Sequence, residues 1–367
     1  GLGLFWLIVK AEYSKIKLAI AFFSALAVQS ILAVGQFLAQ ETFANKWLGL
    51  AAHRAQDLGA SVVETVGADG IAERWLRAYG SLDHPNILGG LLIVGLIILI
   101  YCFISGELLS LRAQRSLPTG QAGNLADNEK NGIASSLPAV APRNDKKFFL
   151  LFTFYFLPFT LFAALLFTFS RSAWLALAAA IVLFIGAAII QKNWPALKRT
   201  LGMLALAVVL FSLIFISYQN LFITRTDATA RLEVKSISER KMYLDDSLSL
   251  LKKNWLFGVG IGNYTKAIAD SQPLRPWYYL QPVHNTFLLV WAETGIGGLI
   301  FFIAWLGYLF LRAVKNKNSL ALSILLAQVI IMSLDHYFWS LPFGIMFFWL
   351  SAGFVWKFSS SKALLTN

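Results

Sequence analysis

The sequence predicts an all-α, polytopic transmembrane helix bundle of about nine spans, the first partial, with a long external loop that contains an amphipathic helix. Three observations carry this. Hydrophobic residues make up 57% of the chain and charged residues 14%, with a mean hydropathy of +0.64. Several apolar runs reach the roughly 20 residues that cross a bilayer. The net charge of +12 falls entirely on one face of the implied topology, as the positive-inside rule expects.

The opening GLGLFWLIV is too short to cross and reads as the tail of a helix whose beginning is missing, so further N-terminal spans are expected. Complete spans are expected near Leu18–Ala39, Asn86–Gly106, Phe148–Phe169, Ala173–Ile190, Thr200–Ser217, Asn285–Leu311, Ser319–Leu334 and Leu341–Lys357. If Lys10–Lys17 is cytoplasmic, that side also holds Glu107–Lys147, the turns at Gln191–Arg199 and Arg312–Asn318, and the C-terminus. It then carries seventeen basic residues against five acidic ones, and the opposite side is balanced. Topology therefore accounts for the basic pI of 9.7 without nucleic acid.

Three hydrophilic segments interrupt the spans. Glu107–Lys147 is rich in Ser, Asn, Gly, Ala and Pro and reads as a flexible cytoplasmic linker between N-terminal membrane spans (1–106) and a membrane core (148–367). The external segments Gln40–Pro85 and Tyr218–Val283 contain aromatics and helical periodicity, so each can fold against the membrane. In the second, Ile237, Leu244, Leu248, Leu251 and Trp255 recur at helical spacing and predict an amphipathic surface helix, with Arg240 and Lys241 flanking the stripe. The glycines of GVGIGNY end that helix in a turn. They lack the strand and helix context of a dinucleotide loop and the Gly-Lys-Ser/Thr ending of a Walker motif, so no nucleotide cofactor is expected. The single cysteine, Cys102, lies within a span as a small apolar filler, which leaves no disulfide framework.

Residues 281–302, QPVHNTFLLVWAETGIGGLIFF, carry the strongest functional signal. A polar loop delivers His284 and Asn285 to the lip of an apolar helix, with Glu293 deeper in the same segment, and ionisable groups there are costly unless used. Arg171, in FTFSRSAWLALA, begins a helix on the same external side, where unpaired amides also favour an anion. Arg171 and Arg240 can equally snorkel to lipid headgroups, but both share a face with His284. His84 and His336 sit at external span ends, the latter after Asp335, and His53 lies in a loop without a motif. No local spacing supplies three metal ligands.

RAYGSLDHPNILGG, FTFSRSAWLALA, NWLFGVGIGNY, HNTFLLVWAETGIGGLIFF and LDHYFWSLPFGIMFFWL occur in that order and cover most of the chain from about Arg77. Together they resemble the O-antigen ligase and O-antigen polymerase superfamily of bacterial membrane glycosyltransferases. The resemblance implies transfer of a glycan from a polyprenyl-diphosphate carrier to an acceptor on the external side of the cytoplasmic (inner) membrane, without metal or nucleotide sugar. Its conserved histidine falls on His284 and its diphosphate-binding arginines on Arg171 and Arg240. The acceptor would be glycan, lipid or protein.

The residue chemistry agrees. A neutral histidine near pH 7 can take the proton of an attacking hydroxyl. Guanidiniums can grip the diphosphate as it gains charge. Asp335 can orient His284 or bind substrate, and His84, Asn285 and Glu293 are possible supports. On a continuous helix Glu293 lies about half a turn from His284, so it is expected to pair with another helix. PWYYLQP, residues 276–282, fits an interfacial aromatic belt and can also stack on sugar rings. The rival class is a flippase or transporter of lipid-linked oligosaccharides, which would show matching inverted repeats or an interrupted helix pair; none is evident in the sequence.

Overall fold

The computed structural model describes residues 1–10, 15–47, 49–67, 70–105 and 156–359. The linker expected at Glu107–Lys147 lies outside them. In chain order the helices are α1 (Leu2–Lys10), α2 (Lys15–Ala39), α3 (Pro85–Ser105), α4 (Leu157–Phe167), α5 (Arg171–Ile190), α6 (Trp194–Thr226), α7 (Arg231–Asn254), α8 (Tyr264–Ser271), α9 (Thr286–Lys315), α10 (Ser319–Leu334), α11 (Tyr337–Ser340) and α12 (Pro342–Phe358). A short hairpin, β1 (Val62–Val66) and β2 (Ala72–Leu76), pairs antiparallel with Val63 opposite Trp75.

Among the described residues, five helices are long and apolar enough to cross a membrane, with α4 and α10 as shorter apolar helices. The bundle is helical and multi-pass, and the count of nine spans is not reproduced. Helix α3 is apolar all round and buried along nearly its whole length, as a central helix must be. It packs on α4, α5, α6 and α10; α5 lies along α10, α2 along α4, and α1 along α12. Cys102 is buried in this core.

Two expectations need correction. The segment Gln40–Pro85 folds around a β-hairpin instead of helices; its first strand alternates, with Val63 and Thr65 buried. The expected span at Thr200–Ser217 belongs to a longer helix, α6, which bends at Tyr218 and continues to Thr226. The expected amphipathic helix forms as α7; of its apolar stripe Ile237, Leu244, Leu248 and Trp255 are exposed, while Leu251 is buried. The face turned to the protein is largely polar, burying Glu233, Tyr243, Asp246 and Ser247 beside Leu250.

Helix α9, read as continuous from the sequence, is broken at Gly295 (φ 71°, ψ −178°). In an unbroken helix Ile296 N–H would donate to Ala292 C=O. Here Ile296 N donates to Trp255 O (2.9 Å), while Val259 N and Gly260 N donate to the Ala292 and Glu293 carbonyls (both 2.9 Å). The Trp291 indole also donates to Trp255 O (2.9 Å). The loop from Trp255 to Gly260 thus replaces the hydrogen bonds that the break releases, and backbone at this depth stays satisfied. This fastens the external segment to α9 a few turns below His284.

Candidate active site

One end of the bundle, where α3, α5, α7 and α9 begin and α6 and α10 end, brings a charged cluster together. It is assembled from below by Arg77, which follows β2 and is buried. Its guanidinium donates to Thr168 O, Ser61 Oγ and Asn86 Oδ1, each at 2.7 Å. Asn86, in the first turn of α3, passes the chain on: its Nδ2 donates to Asp335 Oδ2 at 2.9 Å. Asp335 Oδ1 accepts from His336 N (2.8 Å), and its carbonyl accepts from Thr286 Oγ1 (2.8 Å), tying the end of α10 to the start of α9. A buried carboxylate held this way cannot rotate away from its neighbours.

Those neighbours are histidines. His84 Nδ1 accepts from Asn86 N (3.1 Å), and His336 Nδ1 lies 2.6 Å from Ser340 Oγ. The His284 ring lies nearly parallel to Tyr243 at 5.7 Å and edge-on to His336 at 5.1 Å. Among the described residues its buried Nδ1 has no hydrogen-bond partner, and no direct bond from Asp335 orients it. Burial pushes the His284 imidazole down to about 4, although the Asp335 carboxylate pulls the other way. His84 and His336 are pushed below the ordinary histidine value by the same desolvation. Burial by itself would raise Asp335; His336, His284, His84 and the Asn86 amide hold it lower. The site therefore pairs neutral imidazoles with an ionised carboxylate near pH 7. No group of three His, Cys, Asp or Glu among the described residues is placed to hold a metal.

Guanidiniums line the adjoining side. Arg171, at the start of α5, pairs with Glu233 at 2.8 Å, and Arg225 pairs with the other oxygen of the same carboxylate. Arg225 Nε also donates to Phe169 O (3.0 Å), so Arg225 is fully built in, while the Arg171 side chain stays 37% exposed. Arg240, on the polar face of α7, is half-buried and makes no hydrogen bond or ion pair with the described residues. The charges that bear on it are Asp335, Arg171 and Glu233. Counting Arg77, Arg171, Arg225 and Arg240 against Glu233 and Asp335, the cluster keeps two uncompensated positive charges, with the exposed part of Arg171 and Arg240 foremost.

His84, Arg171, Arg240, His284 and Asp335 thus converge. Asn285 acts locally, where its side chain caps α9 by accepting from Leu288 N (3.0 Å) and donates to Ser333 O (3.1 Å). Glu293 stands apart, accepting from the Trp339 indole (2.8 Å) and Tyr264 N (3.4 Å) at the break in α9. Sequence reasoning missed Arg77, Arg225, Glu233 and Tyr243. Glu233 had a signal, as the acid in the first turn of a helix close behind Arg225 and Arg231; the stacking of Tyr243 on His284 had none.

No curated protein matches the chain. Residues 156–303, which supply Arg171, Arg225, Glu233, Arg240 and His284, match the family model Wzy_C, described as O-antigen ligase. Over that stretch the resemblance of this chain to the O-antigen ligase and O-antigen polymerase superfamily is established.

Proposed function

We propose that the chain transfers a glycan from a polyprenyl-diphosphate carrier to an acceptor hydroxyl at the external face of the cytoplasmic membrane. The observation that carries this reading is the juxtaposition, within the matched stretch, of a half-buried neutral His284 and an Arg240 without a protein partner among the described residues. The acceptor oxygen attacks the anomeric carbon and the bond to the diphosphate oxygen breaks, its electron pair leaving with the diphosphate. His284 accepts the acceptor proton, and the Asp335 carboxylate nearby stabilises the imidazolium that results. Arg240 and the exposed edge of Arg171 meet the charge that develops on the leaving group, where fixed donors lower the barrier most. Arg225 holds Glu233, and Glu233 in turn holds Arg171, so the second guanidinium is aimed before substrate arrives.

A depressed imidazole pKa makes His284 a modest base in the free protein. A bound diphosphate raises it, because an anion alongside favours the imidazolium. Transporter function would call on an interrupted helix, and α9 is interrupted, but its gap is filled by the backbone of 255–260.

The test is transfer in vitro by the purified chain, with a lipid-linked oligosaccharide as donor and a panel of saccharide, lipid and peptide acceptors, which also separates polymerase from ligase. His284→Gln keeps size and hydrogen bonding but cannot take the proton, so transfer should fall roughly 10²- to 10⁴-fold with donor binding retained. Normal turnover by the Gln variant at unchanged folded yield would remove His284 as base.

A further inference from the structure

Helix α2 carries two glutamines that the transfer chemistry leaves unused. Gln36 is buried, and its amide is saturated by one turn: Nε2 donates to Gly80 O (2.8 Å), and Oε1 accepts from Gly80 N (2.9 Å) and Tyr79 N (3.3 Å). Further down the helix, Gln29 accepts from Ser81 N (2.9 Å) and donates to Ser81 Oγ. Polar side chains in an apolar helix are costly to retain without a partner, so this double clamp fixes residues 79–81 firmly.

The clamped turn is the floor of a cavity of about 250 Å³ on the external side. Its wall is formed by Thr42 and Phe43 with Gly49, Leu50, Ala51 and His53, latched by Thr42 N to His53 O (2.9 Å) and His53 N to Thr42 Oγ1 (2.7 Å). The His53 ring stacks on Tyr79 at 4.5 Å and 19°, and its Nδ1 lies 3.2 Å from Ala51 O. Nδ1 lies equally close to Thr42 Oγ1 (3.2 Å), whose own proton goes to Ala51 O (2.8 Å), so both neighbours accept, Nδ1 carries the proton and Nε2 is left as an acceptor. Asp83, on the rim, is exposed and makes no hydrogen bond or ion pair with the described residues. Phe43 offers a half-exposed ring, and no Lys or Arg among the described residues lines the cavity.

We propose that this cavity is a saccharide subsite: it holds a neutral, hydroxyl-rich sugar ring whose hydroxyls donate to Asp83 and His53 Nε2 and whose C–H face lies on Phe43. Acceptors without cations select against acidic sugars, and an aromatic face beside fixed acceptors suits a ring that is polar at its edge and apolar on its face. Asp83 directly precedes His84, so an occupant borders the transfer site. The ligand class rests on the glycan-transfer reading. Both the donor glycan and a glycan acceptor could supply the sugar.

Saturation-transfer NMR on the purified full chain, with free neutral, amino and uronic mono- and disaccharides as probes, tests the subsite without turnover. Neutral sugars should bind and uronic acids should not. Asp83→Ala, and His53→Phe, which keeps the stack on Tyr79 but removes Nε2, should each weaken binding about tenfold or more. His284→Gln should bind like the parent. Competition of the bound sugar against lipid-linked donor or against acceptor in the transfer assay then assigns its source. Absence of neutral-sugar binding, preference for uronic acids, or binding unchanged in both variants would overturn the subsite, even if transfer itself is intact. Binding lost in the variants without any transfer activity would sink the transfer reading and leave the subsite standing.

Discussion

The break in α9 can be tested with one methyl group placed at two neighbouring positions. At Gly295 the backbone sits at φ 71°, ψ −178°, and an added Cβ would lie 2.0 Å from Leu256 O and 2.8 Å from Phe257 C. The dihedrals alone lie where essentially only glycine is found, at a cost of about 1–3 kcal/mol for any other residue. The clash adds to this, because both atoms are main chain and are held by the hydrogen bonds from Val259, Gly260 and Ile296. Gly295→Ala should therefore open the fastening between the external segment and α9 and lower stability by well over about 2 kcal/mol, on the order of the largest single-residue effects. At Gly297 nothing lies within 4 Å of an added Cβ, and the residue is helical and exposed. Gly297→Ala should be neutral or stabilising by roughly 0.5–1 kcal/mol. Thermal unfolding of both variants in one detergent, followed by tryptophan fluorescence, compares them. A Gly295→Ala protein that melts with the parent would refute the broken-helix geometry, and a strongly destabilised Gly297→Ala would refute the assignment of the break to residue 295.

Arg171 and Arg240, the two arginines proposed to face the donor, should respond differently. Arg240→Ala should leave folding unchanged and raise the donor KM roughly 10- to 100-fold, the loss of one or two charge-assisted hydrogen bonds, whereas Arg171→Ala should lower both donor use and the melting temperature because it strips a partner from buried Glu233. Equal behaviour of the pair would contradict the arrangement. Asp246 is buried and takes hydrogen bonds from both arms of Arg275 and from Gln272 (2.9 Å), which ties the loop before His284 to the helix of Arg240 and Tyr243. Asp246→Ala should cost about 3–5 kcal/mol by stranding Arg275, with part regained in the double variant Asp246→Leu, Arg275→Met, as a double-mutant cycle in chemical denaturant would show. The acid limb of kcat/KM should fall well below the ordinary histidine value, towards the value of about 4 for His284, and the limb of kcat should lie at higher pH because bound diphosphate favours the imidazolium. For stability the sign is the same: His84, His284 and His336 are all depressed in the folded state, so the unfolded chain binds more protons below about pH 6.5, and stability drops as pH falls from there towards 4.

What was legible in the sequence was whatever depends on composition or on short words. The apolar runs mark the helices because bilayer-length stretches leave few alternatives, and Arg171, His284 and Asp335 are visible because ionisable groups at span ends stand out against apolar neighbours. The hairpin at Val62–Leu76 was not legible: ten strand residues with one face half-buried give too weak an alternation to compete with a helical reading of the same aromatics. Which way α7 turns was not legible either, for a different reason. Its stripe of Ile237, Leu244, Leu248 and Trp255 is a genuine amphipathic signal, but the sequence cannot say that the apolar face turns outward, leaving a polar face for the protein. In a water-soluble protein the apolar side would face inward almost by default. At a membrane surface that default lapses, since apolar side chains can enter the bilayer instead. That orientation is what makes the site possible: with Leu244 and Leu248 outside, the inner face is free to carry Glu233, Arg240 and Tyr243 to His284. The break at Gly295 was hidden because its cause is distant, with carbonyls of residues 292 and 293 satisfied by amides of residues 259 and 260. The glycine turn of GVGIGNY was seen, but a glycine states only that a conformation is allowed; which partner completes it is decided by the fold.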